Sequence, residues 1–304
     1  MWTPLKSIAL AATLAMTWGG SLQAAEPLKV VATFSIIGDL VKQVGGDAVQ
    51  VTTLVPPGGD AHTYEPTPND AKGIAGANLV VVNGLHMEGW LDRLIAASAT
   101  KAPIAVASKG VKPQTMEEEE AGGGKAKVVT DPHAWQNLAN GQIYVRNIAD
   151  ALTKADPANA AGYRQRADAY TKELKDLDAW VRQQVAQVPP AKRKIITSHD
   201  AFGYFGKAYG VTFLAPVGIS TESEPTAAGL GQLSDQIKKE GIKALFIENM
   251  TDPRLMETLA KESGAVIGGT VYSDSLSEVD GPAGTYVTMF RHNVPAFVAA
   301  MQKN

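Results

Sequence analysis

Residues 156–188 read DPANAAGYRQRADAYTKELKDLDAWVRQQVAQV and predict one long helix, which begins after Asp156-Pro157 and stops before Pro189-Pro190. Eight apolar side chains recur along it at steps of three and four residues, which is the period of one helix face. At 1.5 Å per residue this helix would be roughly 45 Å long, enough to span two lobes. The members of the stripe are Tyr163, Ala167, Tyr170, Leu174, Leu177, Val181, Val185 and Val188.

Strand-like and helix-like runs alternate on both sides of this helix. Before it, LKVVAT at residues 28–33 precedes IIGDLVKQVGG at residues 36–46, and VQVTTLV follows at residues 49–55. After it, KIIT at residues 194–197 opens a second alternation of the same kind. Such alternation is typical of parallel sheets flanked by helices. The predicted fold class is therefore α/β, with two similar α/β lobes, mainly parallel sheets and one long joining helix.

The N-terminus has the features of a secretory signal peptide. Lys6 supplies a positive charge, residues 7–18 are almost wholly apolar, and small residues end the segment near Ala25. About 280 residues remain after its removal, more than a single core usually serves. The predicted organisation is a signal peptide at 1–25, an N-terminal α/β lobe at 26–156, a connecting helix at 157–188 and a C-terminal α/β lobe at 189–304.

Composition excludes several classes of protein. Without the signal peptide, which contains only Lys6 among the charged residues, 27 basic side chains face 31 acidic ones, so nucleic acid is not expected as a partner. No apolar run approaches the roughly 20 residues of a membrane span, so the mature chain is expected to be soluble. The sequence contains no cysteine. This excludes disulfides and thiolate ligands, and it predicts a periplasmic protein that is not lipid-anchored.

Four candidate metal ligands each follow a strand-like run. They are His62 after VQVTTLV, His133 after KVVT, His199 after KIIT and Asp274 after AVIGGTVY. Ligands of open α/β sheets bind at the carboxyl ends of strands. Imidazole and carboxylate groups suit a first-row divalent metal such as zinc, and four of them can complete a tetrahedral shell without a position for water. A closed shell indicates metal carriage rather than catalysis.

Other polar residues near these runs have simpler interpretations. His86 and His292 occur in helical or helix-start contexts and are assigned to structure or surface. Asp131, Asp200 and Glu65 adjoin the candidate ligands and could accept hydrogen bonds from imidazole N–H groups. Asp131 and Asp200 could equally cap the helices that follow them.

The segment TMEEEEAGGGKAK has no apolar period and predicts a surface loop over Glu117–Lys127. A functional alternative is a weak cation-collecting patch formed by residues 117–120. Enzyme signatures are missing from the chain: it has no H-E-x-x-H helix, no G-x-S-x-G elbow and no phosphate-binding P-loop. The sequence therefore predicts a protein that is not an enzyme.

Four segments, GGDAHTYEPTPND, DPHAW, SHDAFGYFGKAYG and YSDSLS, stand in the order and approximate spacing of the ligand segments of a known family. In them the chain resembles the metal-binding component of bacterial ABC importers, the zinc- and manganese-specific cluster A-I solute-binding proteins. The resemblance covers nearly all of the mature chain. It implies that His62, His133, His199 and Asp274 are the ligands and that the metal lies in a cleft between two lobes.

The resemblance also implies a function. The expected protein is a periplasmic receptor that captures Zn(II) and delivers it to an ABC permease in the inner membrane. It is expected to be a monomer, with a periplasmic metallochaperone as a further candidate partner. Manganese members of the family commonly carry glutamate at the third ligand position, so His199 favours zinc. Mn(II), or both metals, stays the alternative because Glu117–Lys127 replaces the histidine-rich loop of many zinc scavengers.

Three alternatives from other classes stay open on the sequence. A zinc-dependent hydrolase would have water in place of one of the four groups. In a receptor for an organic ligand, the three histidines would not be metal ligands and their positions would be incidental. An exported adhesion protein would leave the candidate ligands unexplained.

Overall fold

The structure is a computed structural model that describes residues 26–118, 127–222 and 225–304, without the side chains of residues 116–118. The predicted signal peptide at 1–25 lies outside the described residues. Within the described part of the chain, no helix is both long and apolar enough to cross a membrane.

The first half builds a four-stranded parallel sheet with strand order β2-β1-β3-β4. Residues of β1 and β3 are almost entirely buried because helices cover the sheet, which explains their continuous apolar runs. The strands are β1 (Leu28–Phe34), β2 (Val49–Val55), β3 (Leu79–Val82) and β4 (Ile104–Val106); the helices are α1 (Ser35–Gly45), α2 (Pro68–Ala75) and α3 (Leu91–Ser98).

An antiparallel hairpin follows, whose second strand lies on the predicted strand-like run KVVT and whose first strand extends into the predicted loop. Strand β5 (Gln114–Glu118) pairs with β6 (Lys127–Asp131), so the ends of the predicted Glu117–Lys127 loop belong to strands. The prediction is wrong at these ends because antiparallel pairing is made by backbone groups and needs no apolar period. Residues 119–126, with part of the suggested cation-collecting patch, lie outside the described residues.

Helices α4 (Leu138–Ala155) and α5 (Ala160–Ala186) lie at the centre of the molecule. A short 3-10 turn at Pro157–Asn159 precedes α5, whose 27 residues make it about 40 Å long. All eight residues of the predicted apolar stripe are buried. Helix α5 packs on α1 and α4 of the first half, and it also contacts helices of the second half.

The second half builds another parallel sheet, with strand order β10-β9-β7-β8. Its strands are β7 (Lys194–Ile196), β8 (Thr212–Leu214), β9 (Ala244–Glu248) and β10 (Val266–Val271); its helices are α6 (Gly203–Tyr209), α7 (Ala227–Glu240), α8 (Arg254–Ser263) and α9 (Tyr286–Met301). The α/β class predicted from the sequence is confirmed. One hydrophobic core joins side chains of both halves, including Phe34, Leu174 and Phe297, so the two sheets are held in a defined relative position.

Candidate metal centre

The four candidate ligands come from four separate segments and meet at one point. His62 lies in the loop between β2 and α2, and His133 lies two residues past the end of β6. His199 and Asp274 follow β7 and β10, at the carboxyl ends of parallel strands. His133 differs from the expected pattern, because the strand before it belongs to the hairpin rather than to a parallel sheet.

One donor atom of each residue faces the donors of the others. The Nε2 atom of His62 lies 3.2 Å from Nε2 of His133 and 3.2 Å from Oδ2 of Asp274. The same Asp274 oxygen lies 3.4 Å from Nε2 of His133 and 3.1 Å from Nε2 of His199. All four donor atoms lie within 4.8 Å of one another, and the described residues contain no second group of three or more such side chains.

Four of the six separations among the donor atoms match the edges of a small coordination tetrahedron. Zinc–nitrogen bonds of about 2.0–2.1 Å require neighbouring ligand atoms to be roughly 3.3 Å apart. The four distances above run from 3.1 to 3.4 Å. The arrangement is also buried: His133, His199 and Asp274 are 0% exposed and His62 is 6% exposed. The residues present therefore fit a divalent cation held by three nitrogens and one oxygen.

Carboxylates orient two of the imidazoles. Nδ1 of His133 lies 2.8 Å from Oδ1 of Asp131, and Nδ1 of His199 lies 2.7 Å from Oε2 of Glu248. Glu248 also accepts the backbone N–H of His199 at 2.8 Å. An ionised carboxylate only accepts hydrogen bonds, so each carboxylate favours a proton on Nδ1 and leaves Nε2 as the nitrogen that can bind a metal once the ring is neutral.

Glu248 is the residue that the sequence reasoning missed. It ends β9, between β7 and β10, and it is fully buried. The signal was present, since Glu248 is an acidic residue directly after the apolar run ALFI, where a buried strand gives way to a loop. Three adjacent strands of the second sheet thus direct His199, Glu248 and Asp274 to the same edge.

The other predicted acceptors behave differently from one another. Asp131 contacts His133 as predicted, whereas the exposed Glu65 lines a surface groove beside α2 and α3. Asp200 lies near the centre, where burial, and after it the charge of Asp131, raises its pKa to about 6. Asn137, rather than Asp131, caps α4.

The remaining histidines lie outside the cluster. His86 is exposed in the turn after β3, with a left-handed backbone at φ 66°, so its predicted helical context is wrong. His292 lies in α9, where its Nε2 is 3.0 Å from the carbonyl oxygen of Thr270 and its ring contacts Tyr272 edge-on. His292 therefore has a structural contact, as expected.

Opposite charges at the centre shift its pKa values strongly. Burial alone would lower the pKa of His133, but the negative charges of Asp274 and Asp131 outweigh burial and raise it to about 9. Burial would also lower the pKa of His199, but the negative charges of Glu248 and Asp274 hold this pKa well above its usual value. Burial would raise the pKa of Asp274, yet His133 and His199 keep it well below the usual range. Without metal, the centre therefore retains protons at neutral pH.

Known proteins share both the sequence pattern and the fold. The family model ZnuA, zinc-uptake complex component A, periplasmic, matches residues 30–300. The manganese-binding lipoprotein MntA of Halalkalibacterium halodurans is 33% identical over 284 residues, covering 93% of this chain and 92% of the relative. The iron-binding protein YfeA of Yersinia pestis is 32% identical over 294 residues, covering 97% of this chain and 93% of the relative.

Solved structures give the same result. The periplasmic zinc-binding protein TroA of Treponema pallidum superposes with a TM-score of 0.83 at 32% identity, covering 90% of this chain and 99% of TroA. A manganese-bound periplasmic metal-binding protein from Candidatus Liberibacter asiaticus superposes with a TM-score of 0.77 at 31% identity, with the same coverage.

One prediction about location is wrong. Several relatives are named lipoproteins, among them MntA and the manganese ABC transporter substrate-binding lipoprotein PsaA of Streptococcus pneumoniae, which contradicts the prediction that the chain is not lipid-anchored. That prediction depended only on the missing cysteine, and the absence of one residue type does not establish how a protein is attached. The relatives do support an extracytoplasmic location.

The relatives and the family model are substrate-binding components of ABC importers, which work with a membrane permease and an ATPase, and they are not enzymes. The prediction of a protein without catalytic activity is confirmed on this ground. Their names include zinc, manganese and iron, so family membership determines that a metal is the substrate and leaves its identity to the site. The chain belongs to the ZnuA family of metal-binding substrate-binding proteins of ABC transporters.

Proposed function

We propose that this protein is an extracytoplasmic receptor that binds one Zn(II) ion as cargo and delivers it to an ABC permease. The observation that carries the proposal is the convergence of three imidazole Nε2 atoms and one carboxylate oxygen, all within 4.8 Å of one another, with four of the six pairs 3.1–3.4 Å apart. The ligands in this proposal are His62, His133, His199 and Asp274.

The donor set supports zinc over manganese. Imidazole suits zinc well, and the Irving–Williams order places manganese lowest among the divalent metals at a nitrogen-rich site. Zn(II) with neutral imidazoles and one Asp274 carboxylate has a residual charge of +1. The buried carboxylates of Asp131 and Glu248 offset this charge through the imidazole rings.

Manganese is the second candidate, because relatives covering nearly the whole chain are named for it. A manganese or mixed zinc and manganese receptor would use the same four residues. Harder oxygen ligands suit manganese better than imidazole does. A manganese receptor with three histidines would therefore depend on metal supply more than on intrinsic affinity.

The proposal includes two lobes, at residues 26–156 and 189–304, joined by the connecting helix at 157–188. His62 and His133 then belong to one lobe and His199 and Asp274 to the other, so release requires their separation. Hydrogen bonds hold the Asp274 loop to the first half: the indole N–H of Trp135 donates to the Ser273 carbonyl at 2.9 Å. These contacts and the packing of α5 support a small opening rather than a wide one.

Native mass spectrometry tests the proposed function. The full protein would be stripped of metal with a chelator and titrated with zinc and manganese, alone and in competition. We expect one zinc per chain and displacement of manganese by zinc. Equal affinity for the two metals would replace zinc by a mixed receptor, and no bound metal would overturn the proposal.

The same spectra address two further parts of the proposal. We propose that the protein is a monomer, and the mass of the intact species measures this. We also propose that a periplasmic metallochaperone can supply the metal. Transfer of zinc from a loaded chaperone faster than its spontaneous release would support this part, and equal rates would contradict it.

A further inference from the structure

Both carboxylate oxygens of Asp60 are occupied, and they are occupied by opposite halves of the molecule. Oδ1 accepts the backbone N–H of His62 at 2.9 Å, within the loop that carries this candidate ligand. Oδ2 accepts the hydroxyl of Thr221, at 2.6 Å, from the second half. A charged acceptor makes such hydrogen bonds stronger than those between neutral groups.

The segment that carries Thr221 is also bonded to the His199 segment. Val217 forms a parallel β-bridge with His199, and the carbonyl of Gly218 accepts the backbone N–H of Asp200 at 3.1 Å. Residues 217–221 therefore run from the segment that carries His199 to Asp60, which lies two residues before His62. We call residues 217–222 the strap.

The strap lies between two openings at the metal centre. One cavity of about 580 Å³ is lined by His62, Ile219, Ser220 and Glu222 among others, and another of about 730 Å³ by Asp60, His199, Val217 and Thr221 among others. His62 is the one candidate ligand with measurable exposure, at 6%. The route between solvent and metal thus passes beside His62 and the strap.

We propose that Asp60 is a positioning residue for His62 and that the Thr221–Asp60 hydrogen bond couples it to the strap, so that this bond retards metal release. The proposal rests on the proposed function, since it assumes that His62 is a ligand. Opening the centre separates Thr221 from Asp60. Losing their bond therefore favours the open state and speeds dissociation.

The test measures zinc release from the full protein by stopped-flow mixing with an excess of a chromogenic chelator. Thr221→Val keeps the shape of the side chain and removes its hydroxyl. We expect release about tenfold faster than in the unmodified protein, the effect of losing one hydrogen bond to a charged group. Thr221→Ser restores the hydroxyl and should restore slow release.

A matched control is available in the same cavity. Thr258 lines it, but its hydroxyl donates to the Arg254 carbonyl of its own helix. Thr258→Val should leave the release rate unchanged. In an Asp60→Ala background, Thr221→Val should add no further acceleration, because its acceptor is already gone.

The outcomes separate the two proposals. If the unmodified protein binds one zinc and Thr221→Val releases it at the same rate, the coupling is overturned and the receptor stands. Full additivity with Asp60→Ala would overturn it too. If Thr221→Val lowers the thermal stability of the metal-free protein and leaves the zinc release rate unchanged, the hydroxyl has only a structural role and the coupling is overturned. If the unmodified protein binds no zinc, the receptor proposal itself fails.

Discussion

The second half of the molecule and the His62 loop of the first half hold their candidate ligands in different ways. In the second half, His199 and Asp274 lie fully buried at strand ends, and Glu248 of the strand between them fixes the His199 ring. In the first half, His62 lies in a long loop at the edge of a cavity. Its backbone N–H donates a hydrogen bond to Asp60, which fixes this part of the loop. His133 of the first half is fully buried and held by Asp131. The comparison therefore indicates a preformed wall made by His133, His199 and Asp274 and an adjustable wall at His62, a division suited to a protein that must both retain and release its cargo.

The largest effect is expected at the buried wall. His199→Ala would leave Asp274 and Glu248 buried without their shared partner, so zinc affinity should fall by at least about a thousandfold. Calorimetric titration measures this loss. His86→Ala and His292→Ala are the controls and should bind zinc almost normally. Loss of binding in His86→Ala would refute the ligand assignment.

A smaller loss is expected at the adjustable wall. In His62→Ala, water can enter from the adjoining cavity and complete the coordination shell. We expect zinc affinity to fall by about a hundredfold, less than for His199→Ala. The same titration compares them. Equal losses at His62 and His199 would remove the distinction between the two walls.

The carboxylate behind His199 should contribute less than the ligands themselves. Glu248→Gln keeps an oxygen acceptor for Nδ1 but removes the charge, so zinc affinity should fall about 10- to 100-fold. Glu262→Gln, on the exposed side of α8, is the matched control. An unchanged affinity in Glu248→Gln would show that the burial of His199 alone preorganises it.

Protonation should produce the most gradual effect. Zinc must displace a proton from His133, whose pKa is about 9 without metal, so zinc affinity should fall by up to about tenfold per pH unit below pH 9. This window lies above the fall between pH 6 and 5 expected for imidazoles of ordinary pKa. Competition with a chelator of known proton affinity measures the slope, and a flat corrected affinity from pH 9 to 6.5 would contradict it.

The same pKa has the opposite effect on the metal-free protein. Because folding raises the pKa of His133, its protonated form stabilises the fold fully below about pH 6.5, and this contribution disappears as the pH rises through about 9. The melting temperature of the metal-free protein should therefore fall between pH 6.5 and 9.5. Saturating zinc should remove most of this dependence, because the metal replaces the proton.

Sequence periodicity predicted most of the scaffold. The stripe from Tyr163 to Val188 is buried as expected, and β1, β2 and β7 form where their apolar runs lie. The strand-like run KVVT predicted β6, but β5 and its antiparallel pairing with β6 were not predicted, since backbone pairing leaves little trace in side-chain composition. Glu248 was overlooked because a single acidic residue after a strand resembles any solvated strand end until its neighbours are known.

By itself, the amino-acid sequence determined the alternation of strands and helices, the long central helix, and the placement of His62, His133, His199 and Asp274 after strand-like runs. These are local properties, governed by the periods of helices and strands. Only the tertiary structure decided that Glu248 orients His199, that a hairpin rather than a parallel strand presents His133, and that Thr221 reaches Asp60. Such contacts join residues far apart in the chain, and their energies depend on burial and distance, which exist only once the two halves have packed together.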